Sequence, residues 1–284
     1  MSNAVVGIGP TPVEVPPVVH TLAARLRSGA TVVPVWRNEY GGLTVRLGSI
    51  PAPPRTTSPY LKWVPEDSAC PDPLAEADRL LWAGSFTRVP HVLDAGRDAH
   101  GSWLLTAAVE ADGDVATSAV EPRWHAYAER AAIAIGVGLR RFHDALPTDT
   151  CPFVRTPQMR VHALTTDARA PLAEAERATI SAALGDPPPV DRLVVCHGDA
   201  TVPNTLLDQV GRFAAHVDVG DLGVADRWSD IAVTTRSVTR RYGPGLEPLV
   251  LAAYGVAPDR ERTAYYRALW DAEEAVRARR TAPG

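Results

Sequence analysis

Apolar residues recur at helical spacing from Val18 to Arg27 and predict a short first helix. Beyond it the pattern changes to strand-like runs at Thr31–Trp36, Leu43–Leu47 and Tyr60–Val64. Asn38-Glu39-Tyr40-Gly41-Gly42 separates the first two as a hairpin turn. Ile50–Pro59 is rich in Pro, Ser and Thr and reads as an exposed loop. Pro73 to Gly84 has Pro near its start and Gly at its end, the signature of a helix. Strand signals return at His91–Asp94 and Ser102–Ala108. After the mixed stretch Val109–Val120 the chain turns mainly helical: Trp124–His143, Ala170–Leu184, Gly245–Tyr254 and Pro258–Arg277. A short strand at Leu193–Cys196 and a hairpin of Thr205–Leu207 with Phe213–Val217 interrupt these helices. The pattern predicts a flexible arm over residues 1–17, a β-rich lobe over 18–108 and an α-rich lobe over 109–284. The fold class is α+β.

Composition narrows the function classes. The 284 residues can bury a real core, and 45% hydrophobic with 22% charged residues is ordinary for a globular protein. A formal net charge of −4 offers no basic footprint for nucleic acid. Three cysteines without metal-ligand spacing point to reduced thiols and a cytoplasmic setting. No apolar run is long enough to span a bilayer, and no secretory signal opens the chain. Lys62 is the only lysine among 29 Lys and Arg residues, which suggests a place where a compact ammonium is required.

The strongest chemical signal is Val194-Val195-Cys196-His197-Gly198-Asp199, with Asn204 five residues after Asp199 and Asp218 fourteen beyond that. Phosphoryl transfer asks for a carboxylate at the attacking hydroxyl, oxygen ligands for Mg²⁺ and a cation on the phosphates. Asp199 fits the first role, and Asn204 with Asp218 fits the second. Lys62, ending the third strand, fits the third, with Glu76 on the next helix as its ion-pair partner. The turn with Tyr40, Gly41, Gly42 and Thr44 would cover the nucleotide phosphates. The spacing resembles the catalytic loop and metal-binding Asp of protein kinases, with His-Gly-Asp in place of His-Arg-Asp and no Phe after the metal Asp.

Over Val18 to Asp271 the sequence resembles the aminoglycoside O-phosphotransferase family, especially its 3'-phosphotransferase branch. Besides the catalytic loop, the resemblance rests on the run Asp218-Val219-Gly220-Asp221-Leu222-Gly223-Val224-Ala225-Asp226-Arg227-Trp228-Ser229-Asp230. It rests also on Leu139-Arg140-Arg141-Phe142-His143, Cys151-Pro152-Phe153 and Tyr265-Tyr266. It implies a protein-kinase-like bilobal fold and ATP or GTP as donor with Mg²⁺. It places the adenine hinge at the main chain of Thr106 and Ala108. The implied partner is a small cationic antibiotic rather than nucleic acid or membrane, bound by a monomer or homodimer. Asp221, Arg236, Asp271, Glu273 and Glu274 become the acceptor-side candidates. The chain departs from the family there: Asp221 stands where Arg is frequent, Arg240 where Glu is frequent, and Trp270 in one acidic place. The chain also runs past the usual end of the family, through Arg277–Arg280. A tuberactinomycin peptide of the viomycin and capreomycin type is therefore an alternative acceptor. A metabolic small-molecule kinase and a nucleotide-binding pseudoenzyme are the other readings.

Overall fold

The computed structural model describes residues 13–38, 40–48, 58–66, 68, 70–166 and 172–279. Residues 1–12 of the expected arm and most of the expected Ile50–Pro59 loop lie outside them, and the arm's last residue, Pro17, opens the first helix. Helix α1 (Pro17–Leu26) begins with Pro at its first position, where the missing N–H costs nothing. Strands β1 (Thr31–Arg37), β2 (Leu43–Gly48), β3 (Tyr60–Pro65), β4 (Val92–Asp98) and β5 (Gly101–Thr106) form one antiparallel sheet in the order β1-β2-β3-β5-β4. Alternate residues of β2 (Leu43, Val45, Leu47) and Val19, Leu22 and Ala23 of α1 share the core of this lobe.

Helix α2 (Pro73–Ala83) crosses behind the sheet. Asp72 caps it by accepting the Leu74 N–H at 3.0 Å. Its buried face carries Pro73, Glu76, Ala77, Leu80 and Ala83, at helical spacing. Ala77, Leu80 and Ala83 pack with Phe142, Leu146, Val195, Val219 and Leu222, so α2 joins the two lobes through an apolar seam.

The mixed stretch Val109–Val120 holds three short strands, β6 (Glu110–Ala111), β7 (Asp114–Val115) and β8 (Thr117–Ser118). A 3₁₀ turn over Pro122–Tyr127 leads into α3 (Ala128–Ala145), so the predicted helix from Trp124 begins later than its apolar pattern does. Helices α4 (Pro157–Thr166) and α5 (Glu174–Leu184) follow. The pattern did not single out α4, whose exposed and buried residues are poorly segregated. Strands β9 (Leu193–Cys196), β10 (Thr205–Leu207), β11 (Phe213–His216) and β12 (Gly223–Asp226) carry the loops of interest. The hairpin β10–β11 lies where it was expected, while β12, which pairs with β9, was not foreseen. Helices α6 (Trp228–Tyr242), α7 (Glu247–Tyr254) and α8 (Arg260–Arg279) complete the lobe. Among the described residues no helix is long and apolar enough to cross a membrane.

Candidate active site

The loop after β9 is built around a buried carboxylate. Asp230, 1% exposed in the first turn of α6, accepts the main-chain N–H of His197 at 2.6 Å and of Gly198 at 3.0 Å. His143 Nε2 lies 3.0 Å from the same carboxylate, and its Nδ1 lies 2.8 Å from the Tyr254 hydroxyl. Burial pushes the Asp230 carboxyl up, but the hydrogen bond and charge of His143 and the approach of His197 win and hold it at about 2. His197 Nε2 donates to the Val217 carbonyl at 2.9 Å, and its Nδ1 accepts the Asp199 N–H at 3.2 Å. That pair of partners requires the Nε2–H tautomer. His197 therefore ties the loop of Asp199 to the strand leading to Asp218, and is not itself a base.

Gly198 is required by its backbone. It sits at φ +89°, and a Cβ there would lie 2.2 Å from the Asp221 carbonyl oxygen. This is the physical reason for Gly in the His-Gly-Asp triplet.

The five residues expected to carry phosphoryl transfer come together at the seam between the lobes. Asn204 Nδ2 donates to the Asp199 carbonyl and to its Oδ2, both at 2.9 Å, which turns the amide oxygen away from Asp199. The β10–β11 register places Asp218 beside it, since the Val217 N–H donates to the Asn204 carbonyl at 3.0 Å. Asp218 takes φ +61°, a left-handed conformation that is uncommon for a non-glycine residue. Lys62 Nζ donates to Asp218 Oδ1 at 2.9 Å and to Glu76 Oε2. Burial would lower the Lys62 ammonium, but Asp218 and Glu76 more than offset it and hold it charged. Lys62 in turn holds the Asp218 carboxyl below its ordinary value. Asp199 is pushed up to about 6 by burial and by Asp218, against the pull of His197 and Arg277.

The expected nucleotide-covering turn is held by Asn38, whose Oδ1 accepts the N–H of Tyr40 at 3.0 Å and of Gly42 at 2.7 Å. Glu39 lies outside the described residues. A Cβ on Gly42 would meet Asn38 Nδ2 at 2.6 Å, so this glycine, with Gly41, keeps the turn tight. Thr44 stands opposite Lys62 in the β2–β3 register. At the expected hinge, β5 ends on Thr106, and Ala108 lines a cavity of about 180 Å³ with Arg46, Ser58, Tyr60 and Val115. Sequence reasoning passed over Tyr60. It lies two residues before Lys62, hence on the same face of β3, and that period-two spacing was the signal available.

The acceptor-side candidates are not free carboxylates. Glu273 is gripped by Arg160 of α4 through two hydrogen bonds, 2.8 and 2.7 Å, and Arg160 also donates to Ser229 Oγ at 2.7 Å. Asp221 lies 3.5 Å from Arg155. Asp271 accepts from Arg236 at 2.6 Å, and Glu274 from Arg240 at 3.4 Å. Both of those arginines lie over the Trp270 ring. Sequence reasoning missed Arg155 and Arg160, because arginine alone carries no spacing signal and α4 was not recognised.

Residues 57–266 match the family described as phosphotransferase enzyme family. The chain belongs to it. This phosphotransferase is 33% identical to an aminoglycoside 3'-phosphotransferase of Streptomyces fradiae, over 81% of its own length and 90% of the relative's. Its fold matches that of a type VIII aminoglycoside-3'-phosphotransferase with a TM-score of 0.72 and 28% identity, covering 89% of this chain and 97% of that one. It also matches the aminoglycoside phosphotransferase APH(3'')-Id from Streptomyces rimosus in complex with ADP and streptomycin, with a TM-score of 0.67 and 28% identity over 90% of this chain and 97% of that one. The phosphotransferase thus has the protein-kinase-like bilobal fold, and it is an enzyme of phosphoryl transfer.

Proposed function

We propose that the protein phosphorylates a hydroxyl of an aminoglycoside-type antibiotic in the cytoplasm and so confers resistance. The observation that carries the reading is the convergence of Lys62, Asp218, Asn204 and Asp199 at one seam. These are the side chains that phosphoryl transfer requires. The kinship with aminoglycoside 3'-phosphotransferases and with a streptomycin-bound neighbour supports the acceptor class.

In this reading Asp199 accepts the hydrogen bond of the acceptor hydroxyl and aims its oxygen. Its main chain and carboxylate are both braced by Asn204, so the aim is set before the acceptor arrives. Lys62, immobilised between Glu76 and Asp218, presents a fixed ammonium to the nucleotide phosphates. The donor set of one carboxylate and one amide oxygen suits Mg²⁺, which takes few protein ligands. Asp218 and the Asn204 amide oxygen would hold it, and it would neutralise phosphate charge. Tyr60 offers a ring face to the base in the cavity beside Ala108.

The test is mass spectrometry of pooled aminoglycosides and tuberactinomycins incubated with enzyme and MgATP. One acceptor should gain a single phosphate, and Asp199→Ala should abolish the gain. Turnover retained by Asp199→Ala would remove Asp199 from the role given to it. Phosphorylation confined to the tuberactinomycins would move the acceptor class.

A further inference from the structure

The last turn of α8 meets the nucleotide-covering turn of the other lobe. The Tyr40 hydroxyl, on that turn, donates to the Arg277 carbonyl at 3.0 Å. An α-helix leaves its last four carbonyls without an intrahelical partner. In α8, which ends at Arg279, Arg277 carries one of them. Tyr40 supplies the missing donor from the opposite lobe.

Both sides of this bond are anchored. Val276, 2% exposed, packs with Leu164 and Leu269, and Arg279 donates to Glu176 of α5 at 2.7 Å. The end of α8 is thereby fixed to its own lobe. On the other side the Tyr40 carbonyl accepts from Ser68 Oγ at 2.9 Å. Asn38, whose Oδ1 already holds two N–H groups of the turn, donates through Nδ2 to Cys70 Sγ at 2.9 Å. A braced turn and a braced helix end are thus joined through one hydroxyl. The bonds of Lys62 to Asp218 at 2.9 Å and of Arg79 Nε to the Leu222 carbonyl at 3.0 Å join the lobes elsewhere, at the loop between β11 and β12. The Tyr40 bond adds a second closure, at the turn itself.

We infer that Tyr40 is a positioning residue that clasps the nucleotide-covering turn to the end of α8, so that the donor nucleotide enters and leaves when this bond opens. The inference rests on the reading of that turn as the cover of the nucleotide phosphates. A bond that spans the passage must break for movement in either direction, whereas a bond to the nucleotide slows escape alone. Loss of the hydroxyl should therefore speed entry and release together and leave the affinity nearly unchanged. The net strength of one neutral hydrogen bond corresponds to about two- to tenfold in rate.

Stopped-flow fluorescence of mant-ADP with Mg²⁺ and the full-length enzyme reads both rates, and it needs no acceptor. In Tyr40→Phe, kon and koff should rise together by about two- to tenfold, with Kd staying within about twofold of wild type. Lys62→Met removes the cation proposed to meet the phosphates, so it should weaken mant-ADP chiefly through koff and marks the site independently. Unchanged rates in Tyr40→Phe, with binding still weakened in Lys62→Met, overturn the clasp and leave the nucleotide site standing. A rise in koff alone, with Kd rising in step, makes the hydroxyl a contact of the bound nucleotide and likewise overturns the clasp. Binding of mant-ADP that is indifferent to both substitutions overturns the nucleotide site and the clasp with it.

Discussion

Replacing Asp230 with Asn tests how the catalytic loop is held. The carboxylate is 1% exposed and accepts from His197 N, Gly198 N and His143 Nε2. An amide of the same shape has one accepting oxygen and turns an N–H₂ toward a donor, so at least one buried donor loses its partner. Each such loss costs about 1–3 kcal/mol. The pKa displacement is an independent gauge. A carboxyl drawn from 3.8 down to about 2 contributes about 2–3 kcal/mol to folding at neutral pH. Both routes converge near 3 kcal/mol. With an unfolding entropy of about 2 cal/mol/K per residue, that is a Tm lower by about 5 °C. The loop bearing Asp199 loosens as well, and a small misplacement of the group that aims the hydroxyl should lower kcat by about ten- to a hundredfold. The pH dependence has a definite sign. The folded carboxyl titrates below its unfolded value, so its stabilisation is complete above about pH 4 and fades as pH falls through about 2. The stability gap between wild type and Asp230→Asn should narrow across that window. Thermal melting followed by circular dichroism, with kcat from ADP release, makes the comparison. A variant that melts within 1 °C of wild type and keeps its kcat would refute the account.

Other perturbations follow from the same geometry. Lys62→Met should lower kcat by about a hundredfold or more. It should also lower Tm, because Glu76 is then left buried without its cation, at a cost of about 3 kcal/mol; full activity in the variant would sink the assignment of Lys62. Gly198→Ala forces a Cβ against the Asp221 carbonyl at a left-handed φ, so a loss of about 2 kcal/mol is expected in urea unfolding, together with reduced kcat. Tyr60→Ala should raise the KM for ATP about tenfold at nearly constant kcat, through loss of a ring contact; an unchanged KM would place the base elsewhere.

Much of this was legible in one chain of letters. The switch from helical spacing to strand-like runs, and back to helices, announces two lobes of different class. His197-Gly198-Asp199, Asn204 and Asp218 are close in sequence, and local hairpin registers bring them together, so their spacing alone signals a shared centre. Lys62 could be singled out because the chain has no other lysine. The pattern was weakest where elements are too short to show a period, as in β6 to β8 and β12, or where apolar residues are spread around the helix, as in α4.

The sequence by itself determined which residues could perform phosphoryl transfer, because catalytic roles depend on side-chain chemistry and mostly local spacing. Tertiary structure alone decided how those residues are held and what surrounds them. Asp230 supports the loop from 31 positions beyond Asp199, and His143 supports it from 56 positions before. Charges at Asp221, Asp271, Glu273 and Glu274 read in sequence as open sites for ammonium groups. Folding brings each an arginine from a separate stretch of chain, and a carboxylate paired at that range no longer attracts a distant cation as a free one does. Net local charge is a property of three-dimensional neighbours, which no spacing along α8 could disclose.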